Sequence, residues 1–166
     1  MERVDHPIPP LYDAGSRILI LGSFPSVKSR EAAFFYAHPQ NRFWRVLAAL
    51  LEEEAPKSVE EKAAMLHTHH IALWDTIASC EIEGSSDSSI RSIRANDLSP
   101  ILRAAPIRAV FCNGAASHRL YEKHLRPQTG IEAQKLPSTS PANAAFSLED
   151  LTAHWRCILP YLRGDV

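Results

Sequence analysis

The feature that most constrains this chain is the run Ile18-Leu19-Ile20-Leu21, which ends abruptly in Gly22-Ser23-Phe24-Pro25-Ser26. A short continuous apolar stretch closed by Gly and Pro suits a strand buried on both faces, as in a parallel sheet. Ligands of open α/β sheets sit just beyond the carboxyl ends of such strands. Chemistry is therefore expected in residues 22–26 and in the segment that follows, Phe35-Tyr36-Ala37-His38-Pro39-Gln40-Asn41-Arg42-Phe43-Trp44.

Downstream, strand and helix patterns alternate. Gln40 to Glu54 has helical apolar spacing, and Ser58-Val59-Glu60-Glu61 is a capping box opening a helix through about His67. Ile71–Asp75 reads as the next strand, and the polar, Ser-rich stretch Cys80–Ser99 as a long loop. A helix over Asp97–Ala104 leads to a strand over Ile107–Cys112, closed by Asn113-Gly114, and Ala115–Leu125 forms a further helix. A short strand near Glu132–Leu136 precedes a Pro-Ser-Thr-rich loop, and Ser147-Leu148-Glu149-Asp150 caps a last helix through about Leu162. This alternation predicts a three-layer αβα sandwich around a central, mainly parallel four-stranded sheet. Gly22–Pro25, Trp74-Asp75-Thr76, Asn113-Gly114 and Ser138-Thr139-Ser140-Pro141 each follow a strand, so all four are expected around one crevice. Any one of them alone is ordinary turn chemistry.

The 166 residues, 45% hydrophobic and 22% charged, fit a single domain over 1–166 with a core that needs neither disulfide nor structural metal. Cys80, Cys112 and Cys157 are odd in number and widely spaced, which predicts reduced thiols and no iron–sulfur cluster. Met1-Glu2-Arg3-Val4-Asp5 has no basic segment followed by an apolar one, and no apolar run approaches membrane length, so no membrane association and a cytoplasmic location are expected. A net charge of −1 argues against bulk electrostatic coating of nucleic acid and leaves room for a local basic face. Lys28, Arg30, Arg42 and Arg45 surround the first motif, while His118, Arg119, Lys123, His124 and Arg126 crowd a later helix. His67, His69 and His70 give a weak zinc signal without nearby Cys, and their place at a helix end suits the helix dipole better. No metal or other cofactor is expected.

The Gly22-Ser23-Phe24-Pro25 turn, the His38-Pro39-Gln40-Asn41-Arg42-Phe43-Trp44 segment and the Ser138-Thr139-Ser140-Pro141-Ala142-Asn143 loop together resemble the uracil-DNA glycosylase superfamily, most closely its hypoxanthine-DNA glycosylase branch. The resemblance covers about Ile18 to Phe146. It implies a Gly-X-X-Pro first motif in which Phe24 stands where an Asp, Asn or Glu is usual. It also implies that Asn41 is the catalytic residue, that Tyr36 holds the place of the ring that stacks on a flipped base, and that Ser138 stands where other branches place a catalytic His. Ala142 corresponds to their wedging Leu. The His-Pro-X-Asn-Arg-Phe-Trp pattern is shared with mismatch-specific uracil glycosylases.

The residue chemistry is compatible with that activity. Breaking a sugar–base bond builds positive charge on the sugar and negative charge on the base, which fixed dipoles can stabilise without metal or covalent nucleophile. The Asn41 carbonyl could aim a water at the sugar carbon; as a residue directly before a helix it could equally be an N-cap. Hypoxanthine offers an N1–H donor beside an O6 acceptor, which the amide of Asn113 or the carboxylate of Asp75 could meet. Gly22, Ser23, Phe24 and Tyr36 complete the expected base pocket. Ser26, Lys28, Arg42, Thr139, Ser140 and Asn143 are the expected contacts to the DNA backbone. No Lys stands in a motif for Schiff-base chemistry, so base removal without strand cleavage is expected. The expectation is a monomeric, monofunctional glycosylase acting on DNA with a deaminated base, deoxyinosine ahead of deoxyuridine. A mismatch-directed uracil glycosylase and a catalytically silent protein that binds damaged or single-stranded nucleic acid are the alternatives.

Overall fold

The computed structural model describes residues 2–164. Four parallel strands form the central sheet in the order β3-β2-β6-β7: β2 is Ile18–Gly22, β3 Ile71–Asp75, β6 Ala109–Asn113 and β7 Ala133–Leu136. β2 is central, and all five of its residues are buried, which accounts for its unbroken apolar sequence.

Alternate residues feed two cores. Ile18, Ile20, Ile71, Leu73 and Phe111 pack against α2 (Phe43–Leu51), α3 (Val59–Thr68), α7 (Leu148–Trp155) and α8 (Leu159–Arg163). Leu19, Leu21, Ala72, Val110 and Cys112 face the other way, against α4 (Ser99–Ala104) and the helical segment Ala115–Leu125. A slip of one residue in β2 would exchange the two faces, so the register is fixed by both layers together. The three-layer sandwich matches the sequence expectation.

The stretch Cys80–Ser99 is not a loop. Strands β4 (Ile77–Ile82) and β5 (Arg91–Ala95) pair antiparallel, and β1 (Glu2–Asp5) pairs with the other edge of β4, giving a second sheet of order β1-β4-β5. Ile77, Cys80 and Ile82 bury one side of it against Phe24 and Leu120. The outer strands are short and charged, as protected edges are, which is why their sequences carry little strand signal.

Helix boundaries also differ. α2 starts at Phe43 rather than Gln40, because residues 38–42 form a turn in which the Asn41 N–H donates to the His38 carbonyl. The helix α5 (Ala115–Leu120) passes through a π-helical turn, Tyr121–Leu125, into α6 (Arg126–Thr129), beyond the expected end at Leu125. The last helix breaks at Arg156–Ile158, and Pro160 opens α8, a first-turn position where its missing N–H is harmless. Among the described residues no helix is long and apolar enough to cross a membrane.

Candidate active site

At the carboxyl edge of the central sheet, where the connections leaving β2 and β6 part, lies a cavity of about 110 Å³. Gly22–Ser26, Asp75, Asn113, Ser138 and Ser140 line it, so the four post-strand segments do surround one crevice. The turn before α2 adds Phe35, Tyr36 and Asn41. Ser85 and Asp87, from the β4–β5 connection, complete the wall.

Asn41 and Asn113 are joined through Thr139, which is fully buried. Asn113 Nδ2 donates to Thr139 Oγ1 (3.0 Å), whose hydroxyl donates to Asn41 Oδ1 (2.8 Å), while the Thr139 N–H donates to Asn113 Oδ1 (3.1 Å). Asn41 Oδ1 also accepts from the Phe43 N–H at 2.9 Å, satisfying an orphan donor at the start of α2. Both lone pairs of that carbonyl are thereby taken, and the group Asn41 has left is its NH2. The expected water-aiming carbonyl is therefore corrected to a fixed donor. Asn113 keeps one Nδ2 hydrogen and one Oδ1 lone pair, the number that the expected amide-to-base pairing needs.

Thr139 and Arg42, expected to bind phosphate, face inward for a physical reason. The Arg42 guanidinium donates to the carbonyls of Ser140 and Asn143 (3.0 Å each) and of Phe146, clamping the loop after β7. Asn143 Nδ2 braces the same loop by donating to the Ser138 carbonyl at 3.0 Å. Ser138 Oγ accepts from the Ser140 N–H (3.1 Å), which leaves its own hydrogen free at the cavity wall.

Tyr36 lies in the left-handed region at φ 51°, a backbone disfavoured by roughly 1–2 kcal/mol for a residue with a Cβ. Its ring stacks on Phe43 with centroids 4.0 Å apart, and Trp44 Nε1 donates to its carbonyl at 3.2 Å, so the surroundings hold it there. Its hydroxyl is buried without a hydrogen-bond partner among the described residues. Burial first, and then the negative charge of Asp75, raise its pKa, while the side-chain amide of Asn113 close by pulls the other way. A Cβ at Gly22 would collide with Asp75 Oδ1 and lie 3.1 Å from the Tyr36 hydroxyl, so only glycine permits this approach.

Asp75 is buried, and His6 Nε2 lies 2.7 Å from its Oδ2. No sequence signal pointed to His6: it sits just past β1, and its position depends on the second sheet, through its N–H to the Ala78 carbonyl (2.8 Å). Asp87 was missed for the same reason. Ser23 lines the cavity as expected and donates to Asp87 Oδ1 at 2.8 Å. Burial raises the Asp87 carboxyl pKa, the Ser23 bond opposes that shift, and the charge of Asp75 adds to it.

Phe24 lines the cavity and packs edge-on to the His6 ring at 5.8 Å. Ser26 caps α1 (Val27–Ala32) by accepting from the Ser29 N–H. Lys28 is exposed on that helix, 3.9 Å from Glu31 and outside the cavity lining. The three candidate histidines diverge: His67 pairs with Asp13 at 3.0 Å and His69 with Glu53, and among the described residues no group of three or more ligands converges.

The uracil DNA glycosylase superfamily profile matches residues 9–163, a span that begins after His6. A protein of Methanosarcina acetivorans named hypoxanthine DNA glycosylase is 34% identical over 90% of this chain and 94% of its own length. Its namesake from Methanosarcina barkeri is 34% identical over 89% and 92%. A solution NMR structure of a Methanosarcina acetivorans protein, assigned provisionally as a uracil DNA glycosylase, superposes with a TM-score of 0.80 at 34% identity, covering 94% of this chain and 96% of that one. Sequence and fold agree along nearly the whole length, and the chain belongs to the uracil DNA glycosylase superfamily.

Proposed function

We propose that the protein hydrolyses the N-glycosidic bond of a flipped deaminated nucleotide in DNA, with deoxyinosine the preferred substrate. The carrying observation is the open-mouthed cavity at the sheet edge, lined by Asn41, whose carbonyl is held by Phe43 and Thr139 so that its NH2 is the group left to act. The two relatives named hypoxanthine DNA glycosylase support the choice of base.

A base inside a duplex must leave the stack to enter such a cavity. Once there, the Asn41 NH2 is a preorganised donor for the negative charge that develops on the departing base, and it needs no reorganisation during bond breaking. The free hydrogen of Ser138 can hold a water at the cavity wall. Gly22, Phe24, Tyr36, Asp75 and Asn113 form the base pocket; Ser26, Lys28 and Ser140 remain the groups available to the DNA backbone.

The test is incubation with duplexes carrying inosine, uracil or xanthine, followed by alkaline cleavage of abasic sites. Strand breaks at inosine are expected. Breaks confined to uracil would instead make the protein a mismatch-type uracil glycosylase, and none on any duplex would leave a silent binder of damaged DNA.

A further inference from the structure

We propose that His6 is a positioning residue that fixes Asp75 as an acceptor-only reader of ring N–H groups, and so sets which bases the cavity accepts. The inference rests on the glycosylase reading above and extends it to base discrimination.

The His6 ring is held on every side. Its side chain is 3% exposed, with Phe24 edge-on at 5.8 Å and Trp74 at 6.1 Å. The Ile8 N–H donates to His6 Nδ1 at 3.2 Å, so that nitrogen is an acceptor and carries no proton. The remaining nitrogen, Nε2, therefore bears the hydrogen and donates to Asp75 Oδ2 at 2.7 Å. The backbone thus selects which imidazole nitrogen faces Asp75 with its hydrogen. Asn96 Nδ2, buried, grips the carbonyls of Asp75 and Ile77 at 2.9 and 3.1 Å, so the carboxylate is held from its backbone as well.

This arrangement engages Oδ2 and leaves Oδ1 at the cavity, beside Gly22 and the Tyr36 hydroxyl. A carboxylate oxygen can only accept. Hypoxanthine N1–H and uracil N3–H can donate to it, whereas the corresponding ring nitrogens of adenine and cytosine are acceptors and would meet it lone pair to lone pair. A bare carboxylate would also repel a departing anionic base. The His6 N–H draws off part of that charge while leaving Oδ1 an acceptor. Phe24 forms one wall of the slot that holds the imidazole.

Two measurements test this. In the wild-type protein, nitrogen-correlated NMR of the imidazoles should show His6 with its proton on Nε2 and a bare Nδ1; a proton on Nδ1 overturns the proposal. Single-turnover excision from inosine duplexes should fall at least 10-fold in His6→Phe, which fills the slot without a donor, and recover to within a few-fold of wild type in His6→Gln, whose amide can still donate to Asp75. The ratio of hypoxanthine to adenine excision should fall in Asp75→Asn, since an amide can also present a donor to the adenine ring nitrogen. Excision by His6→Phe at the wild-type rate overturns the proposal, as does an unchanged ratio in Asp75→Asn. A wild-type protein that excises no base would instead overturn the glycosylase reading, while the tautomer measurement would still report on His6.

Discussion

Asn41 and Thr139, 98 residues apart in sequence, meet through a 2.8 Å hydrogen bond from the threonine hydroxyl to the asparagine carbonyl. Thr139 also receives a bond from Asn113, so the turn before α2, the end of β6 and the loop after β7 are tied together at one buried hydroxyl. Its replacement by Val keeps the shape but orphans Asn113 Nδ2 and frees half of the Asn41 carbonyl. A loss of about 1–3 kcal/mol is expected, with reduced excision because the amide of Asn41 is free to rotate. Chemical denaturation with single-turnover kinetics on the same preparation measures both.

Asn41 has a structural role and a proposed chemical one on opposite ends of the same amide, and two substitutions separate them. Asn41→Ala removes the cap to Phe43 and the bond to Thr139, costing about 1 kcal/mol or more in stability, and is expected to lower excision by on the order of 10²-fold. Asn41→Asp keeps an acceptor for both partners but has no NH2. It is expected to melt close to wild type while excising as poorly as the Ala variant. Wild-type excision by Asn41→Asp would assign the residue to capping alone.

The sheet and its crevice were legible in the sequence because β2 and β6 are buried on both faces and carry nearly continuous apolar runs. The turns that follow them are marked by Gly22, Pro25, Asn113 and Gly114, so the lining segments could be placed before any side chain was located. The second sheet was not legible. β1 and β5 are charged edge strands, and Glu2–Asp5 acquires its conformation only by pairing with Cys80 and its neighbours, far along the chain. His6 and Asp87 depend on that long-range pairing, and local pattern could not deliver them. Arg42 shows a different limit. Its type and place suit a phosphate contact, yet the loop after β7 presents carbonyls that a planar guanidinium bridges together.

Arg42→Ala is accordingly expected to loosen the Ser138–Asn143 loop rather than weaken phosphate binding. Each hydrogen bond from a charged donor contributes roughly 1.5–3 kcal/mol, so a stability loss of about 2 kcal/mol or more should accompany a marked fall in excision. The salt dependence of DNA affinity should stay as in wild type. A flatter slope in this variant would restore Arg42 to the DNA-binding face.

Lys28 is the contrasting case, an exposed cation whose 3.9 Å pair with Glu31 contributes little to stability. Lys28→Ala should leave thermal unfolding unchanged and weaken binding to damaged and undamaged duplexes alike. The slope of log affinity against log salt should flatten by about 1, with base preference preserved. An unaltered slope would move the phosphate contacts to the helix carrying Arg119 and Lys123.

Asp87 gives the pH prediction. Burial first, and the charge of Asp75 in addition, hold its carboxyl pKa above the ordinary aspartate value, although the Ser23 hydroxyl and Arg119 pull the other way. Between the unfolded and the raised folded value, the folded protein binds the extra proton. Stability contributed by this group is therefore present at low pH, falls as pH rises through that window, and stays lost above it. Asp87→Asn keeps an acceptor for Ser23 and removes the ionisation, so it should melt above wild type at neutral pH, with a gap that closes as pH is lowered through the window. The same substitution removes a negative charge from the cavity wall, where DNA phosphates must approach, and should tighten binding at neutral pH but not below the window. Melting curves and affinity titrations across a pH series check both outcomes, and a stability gap that does not change with pH would make Asp87 an ordinary solvated carboxylate.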